Sequence, residues 1–144
     1  MRRTLRQAGS MVFVVGLALI AACSGPNRSQ NPSSASGFNI TVSISPNTLR
    51  GATPGTNEAQ GGCGIVLAKV FDQAGRLVDG KRVTLTTTLG RFPGQNAGEE
   101  FVAVSGFTTR GIFEFPLCAK AERGTGTVTA VTEDAVATVL FTVF

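Results

Sequence analysis

Residues 66–88, VLAKVFDQAGRLVDGKRVTLTTT, decide the fold class of this chain. Apolar side chains recur at every second position in two runs, one from Val66 to Val70 and one from Val83 to Thr87. A period of two places successive side chains on opposite faces of an extended strand, so each run predicts a strand with one buried face. Turn-forming residues, 72–75 and the pair Asp79-Gly80, separate the runs. The stretch therefore predicts two strands joined across the edge of a β-sandwich.

The same alternation recurs along the chain after residue 37. Polar or glycine-rich segments separate the alternating runs, and no segment of this part has a helical period. The pattern predicts one all-β domain over residues 38–144, an antiparallel β-sandwich of about seven strands. The predicted strands cover residues 40–45, 63–71, 82–89, 100–105, 112–118, 125–131 and 135–143.

Three stretches, FDQAGRLVDGKRVTL, TTRGIFEFPL and GTGTVTAV, resemble bacterial Ig-like domains of the invasin and intimin type (group 1). The resemblance covers roughly residues 40–144. It implies an Ig-like β-sandwich that serves as a cell-surface module, with cell adhesion among the expected roles. Invasin-type relatives carry such domains in tandem behind an outer-membrane barrel, whereas this sequence shows one copy, so adhesion is not carried over without a test.

Residues 1–22 have a basic start and an apolar run from residue 11 that is too short to span a bilayer comfortably. The following Ile20-Ala21-Ala22-Cys23 resembles the lipobox of a bacterial lipoprotein signal peptide, which implies that Cys23 carries palmitate-type acyl chains. The alternatives are an ordinary signal peptide and an uncleaved anchor. Ser24 after the cysteine suggests sorting to the outer membrane of a diderm host, with a periplasmic or surface-exposed orientation. The lipid anchor makes the membrane an expected partner.

Residues 23–37 are expected to form the lipidated cysteine and a flexible tether, because residues 24–37 are rich in Ser, Asn, Pro and Gly and have no apolar periodicity. Fourteen such residues have an r.m.s. reach of roughly 20 Å. That reach is enough to hold a small domain just above the lipid headgroups.

Cys63 and Cys118 are the two cysteines left after Cys23 is assigned to lipid. A metal or redox site is disfavoured, since the chain has no histidine and no CxxC spacing. Strand parity places both sulfurs outward if Val66 and Phe113 face inward, and the second and fifth strands of such a sandwich are antiparallel neighbours. We therefore expect a disulfide, with free thiols as the alternative.

Catalytic side chains are scarce, because His, Tyr and Trp are all absent. The carboxylate pairs Glu99-Glu100 and Glu133-Asp134 are adjacent in sequence, and adjacent side chains in an extended chain point apart. We expect no enzyme activity and no cofactor; a small hydrolase that uses loop carboxylates is the rival. A calcium site that includes Asp72, Asp79 or the Glu133-Asp134 pair is conceivable, but no metal is expected.

Charge and composition also argue against several ligand classes. The formal net charge is +4, and removal of Arg2, Arg3 and Arg6 with the signal peptide leaves +1. Nucleic-acid binding needs several clustered cations, so no nucleic-acid partner is expected. Carbohydrate binding usually uses exposed aromatic platforms, and phenylalanine is the only aromatic residue here. No small-molecule substrate is expected.

The outward face of the second and fifth strands carries Ile65, Leu67, Phe71 and Ile112, with Pro116, where polar residues would be expected. One explanation is that residues 90–106 or the region of Phe38 cover this face, with Phe101 and Phe107 as part of the cover. The other is that the face docks a protein partner or another copy. The sequence as a whole predicts a non-catalytic, lipid-anchored structural, adhesion or protein-interaction module, with a periplasm-facing accessory subunit as the alternative.

Overall fold

The computed structural model describes residues 37–53 and 61–144, and this part of the chain is built of β-strands without a helix. Seven strands have five or more residues, which agrees with the predicted all-β fold and strand number. The strands are β1 (Asn39–Ser45), β2 (Thr48–Leu49), β3 (Cys63–Phe71), β4 (Arg82–Thr87), β5 (Phe92–Pro93), β6 (Glu100–Phe101), β7 (Ala103–Phe107), β8 (Ile112–Cys118), β9 (Gly124–Thr132) and β10 (Ala135–Val143). Over the described ranges, the chain offers no apolar helix of membrane-spanning length.

The first sheet has the order β1-β3-β8, and both of its strand pairs are antiparallel. The alternation that predicted β3 is realised in its burial, since Val66, Ala68 and Val70 are fully buried. Ile40 and Ile44 of β1 point into the same core. One face of this sheet is therefore apolar and buried, as period-two alternation requires.

The second sheet has the order β2-β10-β9-β4-β7. The chain leaves β3 in the first sheet and enters β4 in the second, so the predicted crossing of a sandwich edge is confirmed. β1 and β2 also lie in different sheets, with a cis peptide bond between Ser45 and Pro46, and β2 runs parallel to β10. The strand pair β9 and β10 closes over Glu133 and Asp134, as the sequence predicted.

The core lies between the two sheets and consists of small and medium-sized aliphatic side chains with two large rings. Phe92 and Phe141 are the largest buried residues, at 0% and 2% exposure. Full burial of a side chain of this size stabilises the fold by roughly 1.5–3 kcal/mol. The core residues are Ile40, Val42, Ile44, Leu49, Val66, Ala68, Val70, Val83, Leu85, Phe92, Leu117, Ala119, Val128, Ala130, Ala135, Ala137, Phe141 and Val143.

Hydrogen bonds that Asp72 accepts organise the first predicted turn. Its carbonyl accepts from the Gly75 amide at 3.0 Å, and its carboxylate oxygen Oδ1 accepts from the Arg76 amide at 2.9 Å. Gly75 has a φ of 76°, which side-chain-bearing residues rarely adopt. The Asp-x-x-Gly pattern therefore acts as turn chemistry, as expected.

Two predicted boundaries differ from the structure. β4 ends at Thr87 instead of Leu89, because the Thr87 hydroxyl donates to the Leu89 carbonyl at 2.5 Å and closes a local turn. The predicted strand over residues 100–105 is broken at Val102 into β6, which pairs with β5, and β7, which pairs with β4. Residues 48–49 were expected in a loop but form β2. The predicted signal peptide, Cys23 and residues 24–36 of the tether lie outside the described residues.

Candidate interaction faces

The predicted disulfide between Cys63 and Cys118 is present. Cys63 opens β3, Cys118 closes β8, and the two residues are direct cross-strand partners with Cα atoms 4.0 Å apart. The disulfide joins the two residues on one face of the sheet, as strand parity predicted, but Cys118 is buried at 4% exposure, whereas Cys63 is exposed. The reason is Arg91, which exchanges two backbone hydrogen bonds of 2.9 Å with Cys118 on the side away from Cys63.

The four residues proposed as an interaction face, Ile65, Leu67, Phe71 and Ile112, all lie on the outer side of the first sheet. Ile65 is 47% exposed, and the other three are half-buried. Their phase is opposite to that of the buried residues of β3, so strand parity predicted their direction correctly.

The strand register divides this face into two parts. Lys69 is paired with Ile112, and Glu114 is paired with Leu67, so charged residues interrupt the apolar surface. Ile65, Leu67 and Pro116 form one part, which we name the disulfide-end patch, because Ile65 and Pro116 are partners next to the cysteine pair. Phe71 lies at the far end beside Leu77. The expectation of a single apolar face beside the disulfide is therefore wrong.

No described segment covers the disulfide-end patch. Residues 90–106 were expected to cover the patch, but Phe92 of this segment is inserted into the core. There its ring forms a T-shaped pair with the Phe115 ring, with a centroid distance of 5.9 Å. Phe38 packs against the core beneath the Lys81 ammonium group, 3.7 Å from its ring centre. Phe101 and Phe107 are 45% and 67% exposed; Phe101 lies near Phe115, and Phe107 lies near Ile112 and Phe113. Over the residues that the structure describes, the covering explanation does not hold for Ile65, which is 47% exposed, whereas Phe107 lies beside Ile112.

Several exposed apolar residues were not singled out as an interaction surface from the sequence. Leu140 and Val136, at 53% and 39% exposure, lie on the outer side of β10, and Phe107 and Val102 lie along the open side next to β7. With the Phe141 side chain directed into the core, a period of two would have placed Leu140 and Val136 on the outward face. The exposure of Val102 follows from the break between β6 and β7, which no local signal indicated.

Each of the acidic residues considered for chemistry has another structural partner. Glu100 pairs with Lys120, and Glu99 accepts a hydrogen bond from the Asn96 side chain at 2.6 Å, so the two neighbours point to different groups. Glu133 forms an ion pair with Lys81 at 2.8 Å. The arrangement of these carboxylates supports loop and strand contacts rather than an acid/base pair.

The two aspartates of the connection between β3 and β4 also have local roles. The backbone amide of Arg76 holds the pKa of Asp72 below its usual value, with help from the Arg76 side chain. Asp79 accepts a hydrogen bond from the Gly111 amide and so ties this connection to the turn before β8. Over residues 37–53 and 61–144, no three acidic, Cys or His side chains come together as a metal site would require.

Comparisons with known proteins show limited similarity. No protein-family model matches the chain, and no curated protein matches it. Among solved structures, it is similar to the C-terminal 282-residue fragment of intimin, crystallised in complex with the intimin-binding domain of the translocated intimin receptor. The sequence identity is 21% and the TM-score is 0.49. The match covers 73% of this chain and 33% of that chain, so this chain spans about a third of the fragment's length.

Proposed function

We propose that this chain is a non-catalytic, lipid-anchored cell-envelope protein whose β-sandwich serves as a protein-interaction, structural or adhesion module. The observation that carries the proposal is the disulfide-end patch, an apolar outer surface that no described segment covers. Monomeric proteins usually place polar residues on the outer face of an antiparallel sheet. An uncovered apolar surface of this kind is typical of a contact site.

The patch is held in one geometry. Ile65 lies in the centre of a three-stranded sheet, with Ser45 on one side and Pro116 on the other, two residues from the disulfide. A lipid anchor would keep this surface close to the membrane, where tethering raises its effective concentration for a membrane-bound neighbour. A small contact area then suffices for a weak, local interaction.

The absence of catalysis is part of the proposal. The chain has no histidine, and the carboxylates that a hydrolase could use are engaged in the contacts described above. The rival is a small hydrolase. Turnover of a test substrate that disappears in a Glu99→Ala or Glu133→Ala variant of unchanged melting temperature would establish the rival instead.

The patch is tested by placing a photo-crosslinking amino acid at position 65 in cells. A discrete crosslinked protein is expected at position 65, and none at Thr142, an exposed position on the outer side of the other sheet. Leu67→Ser should reduce the crosslink at position 65 while the variant stays folded. Equal crosslinking from positions 65 and 142 would remove the patch from the proposal.

A periplasm-facing accessory subunit is the second candidate, since the same patch could dock on a neighbouring envelope protein. Protease treatment of intact cells distinguishes the two orientations. Digestion from outside is expected for an adhesion or spacer module at the cell surface. Protection until the outer membrane is permeabilised would favour the periplasmic subunit.

A further inference from the structure

β7 is an outer strand of the five-stranded sheet and has one free edge. It pairs with β4 on one side. The Thr87 amide donates to the Val102 carbonyl, and the Thr108 amide donates to the Lys81 carbonyl, both at 2.9 Å. Hydrogen-bonded pairs alternate in an antiparallel ladder, so Ala103, Ser105 and Phe107 direct their backbone N–H and C=O groups away from β4. No described residue bonds to these groups.

The edge of β7 lacks the devices that usually protect a sheet edge. It contains no proline and no charged residue. The opposite edge of the same sheet is β2, which has two residues, and β8 carries Pro116 and is capped by Arg91 at Cys118. β1 is also an edge, but the side chains on its outer face are small hydroxyl or amide groups. β7 alone among these strands combines an open ladder with nearby aromatic rings.

Two grooves of about 390 Å³ each lie beside this edge. The first lies between β7 and the loop joining β5 to β6, and its apolar lining consists mainly of Phe101, Val104 and Phe115. The second is lined by the apolar Phe107, Ile112 and Phe113 and by the polar Thr109, Arg110 and Glu114. Their volumes fall at the lower end of the range for binding pockets and suit a few apolar side chains.

Gly106 lets the Phe113 ring, which lines the second groove, pack directly against the backbone of β7. A Cβ atom at this position would lie 2.3 Å from Cε2 of Phe113, so the ring occupies the space next to the backbone. Val104 packs toward the core on the same face of β7. A strand added to β7 would therefore place side chains opposite Val104 and Gly106 toward Phe115 and Phe113.

The two ends of the edge differ in charge. Glu99 lines the groove at the end where β7 begins, whereas Arg110 and Glu114 together line the groove where β7 ends. An antiparallel partner strand begins near Arg110 and Glu114 and ends near Glu99. Charge complementarity thus favours a segment with a basic residue after its strand.

We propose that the open edge of β7 binds an extended segment of a partner protein as a sixth, antiparallel strand of this sheet. The segment carries two valine-sized side chains at positions i and i+2, directed towards the two grooves, and a basic residue at its end. Main-chain hydrogen bonds to Ala103, Ser105 and Phe107 supply affinity, and the grooves supply specificity. This surface is separate from the disulfide-end patch.

The test uses a fluorescein-labelled peptide, Asp-Thr-Val-Thr-Val-Thr-Arg, titrated with the full-length protein and followed by fluorescence anisotropy. In the proposed register, its valines face Gly106 and Val104. The control peptide, Asp-Val-Thr-Thr-Thr-Val-Arg, has the same composition but directs both valines outward. We expect saturable binding of the first peptide, and we expect the control peptide to bind at least about tenfold more weakly. Equal affinity of the two peptides, or no saturable binding of the first, would overturn the proposal.

Ser105→Pro provides the matched protein variant. It removes an N–H group that points away from the ladder, a position where edge strands tolerate proline, together with the exposed 2.8 Å side-chain hydrogen bond between Ser105 and Thr84, so the melting temperature should fall only slightly. Peptide affinity should fall about tenfold or more. Phe107→Ser, at a residue that is 67% exposed, should weaken binding without affecting folding. Ile65→Ser should leave peptide affinity unchanged, which keeps this test independent of the proposed function.

Two results would contradict the assignment to β7. One is a peptide affinity that neither Ser105→Pro nor Phe107→Ser changes while both variants stay folded. The other is a wild-type dimer in sedimentation velocity that Ser105→Pro converts to a monomer, since the occupant of the edge would then be a second copy of this chain.

Discussion

At the scale of single residues, one buried polar side chain, Thr108, holds the connection between β3 and β4 in place. Thr108 is 4% exposed and lies between β7 and β8. Its hydroxyl donates to the Val78 carbonyl at 2.8 Å and accepts from the Lys81 amide at 3.0 Å. One side chain thus satisfies two backbone groups of the connection that leads into β4. A backbone N–H or C=O group that is left without a hydrogen bond in a partly buried site lowers the stability of the fold.

Thr108→Val should therefore destabilise the fold by about 2 kcal/mol, because it leaves both backbone groups without a partner while shape is preserved. The denaturant midpoint should fall with an unchanged m-value. Thr142→Val, at an exposed threonine, is the control and should change stability by less than about 0.5 kcal/mol. Equal midpoints for Thr108→Val and wild type would show that this hydroxyl does not hold the connection.

Asp72 gives the fold an acid-sensitive contribution. The pKa of Asp72 is lowered, chiefly by the hydrogen bond from the Arg76 amide, so the folded state favours the ionised carboxylate. The resulting stabilisation is present above the ordinary aspartate pKa of about 3.9 and is lost as pH falls through the lower folded value. Wild type should thus exceed Asp72→Asn in denaturant midpoint at pH 7, and the difference should shrink progressively as the pH is lowered below the ordinary aspartate pKa of about 3.9. A difference that stays constant with pH would contradict this role.

At the scale of elements, the side of the sandwich between β7 and β8 depends on a two-residue strand. β5 inserts Phe92 into the core, where it meets Phe115, and Arg91 pairs with the end of β8. The glycine-rich segment of residues 90–98, which contains β5, thus closes part of the gap between the two sheets. It does not fold over the outer face of the first sheet.

Phe92→Ala should be among the most destabilising substitutions, by about 3–5 kcal/mol, because it empties a fully buried ring site. Phe101→Ala, in the paired strand β6 and 45% exposed, is the matched control with an expected change below about 1 kcal/mol. Chemical denaturation of both variants compares the two sites. Similar losses in the two variants would mean that the hairpin, and not the buried ring, provides the stability.

The link between β3 and β8 is covalent as well as hydrogen-bonded. Cys63 and Cys118 are 55 residues apart, and closing such a loop stabilises the fold by roughly 4 kcal/mol on the chain-entropy model. Reduction should lower the melting temperature by on the order of 15 °C, and alkylation should add two groups only after reduction. Labelling of both cysteines in native, unreduced protein would contradict the bridge in solution.

At the scale of the whole molecule, the two candidate contact surfaces lie on different elements. The disulfide-end patch belongs to the outer face of the first sheet, and the free edge of β7 belongs to the second sheet. A module with two separate surfaces can hold two neighbours at once.

The proposed membrane attachment depends on Cys23. Labelled palmitate should be incorporated into the wild-type protein and lost in Cys23→Ser, which should also release the protein from the membrane fraction. Cys63→Ser is a control that keeps the lipobox-like sequence intact. Palmitate incorporation that persists in Cys23→Ser would contradict the lipid-anchor proposal.

Local alternation was enough to predict the all-β class, most strand positions and the inward residues of β3. Val66, Ala68 and Val70 share a phase that only one buried face satisfies, and glycine and aspartate mark the turns. The cysteine pair was also predictable, since parity and the expected strand neighbours placed Cys63 beside Cys118. These features depend on residues close in sequence or on one known pairing.

Long-range packing decided the rest. The register that places Lys69 and Glu114 within the proposed face depends on which residues of β3 and β8 meet. The insertion of Phe92, the burial of Cys118 and the free edge of β7 depend on where a glycine-rich segment docks, and its local sequence carries no periodic signal. Alternation therefore determined which way each side chain points. Tertiary structure determined what each side chain meets, because the energies of burial and pairing depend on partners distant in sequence.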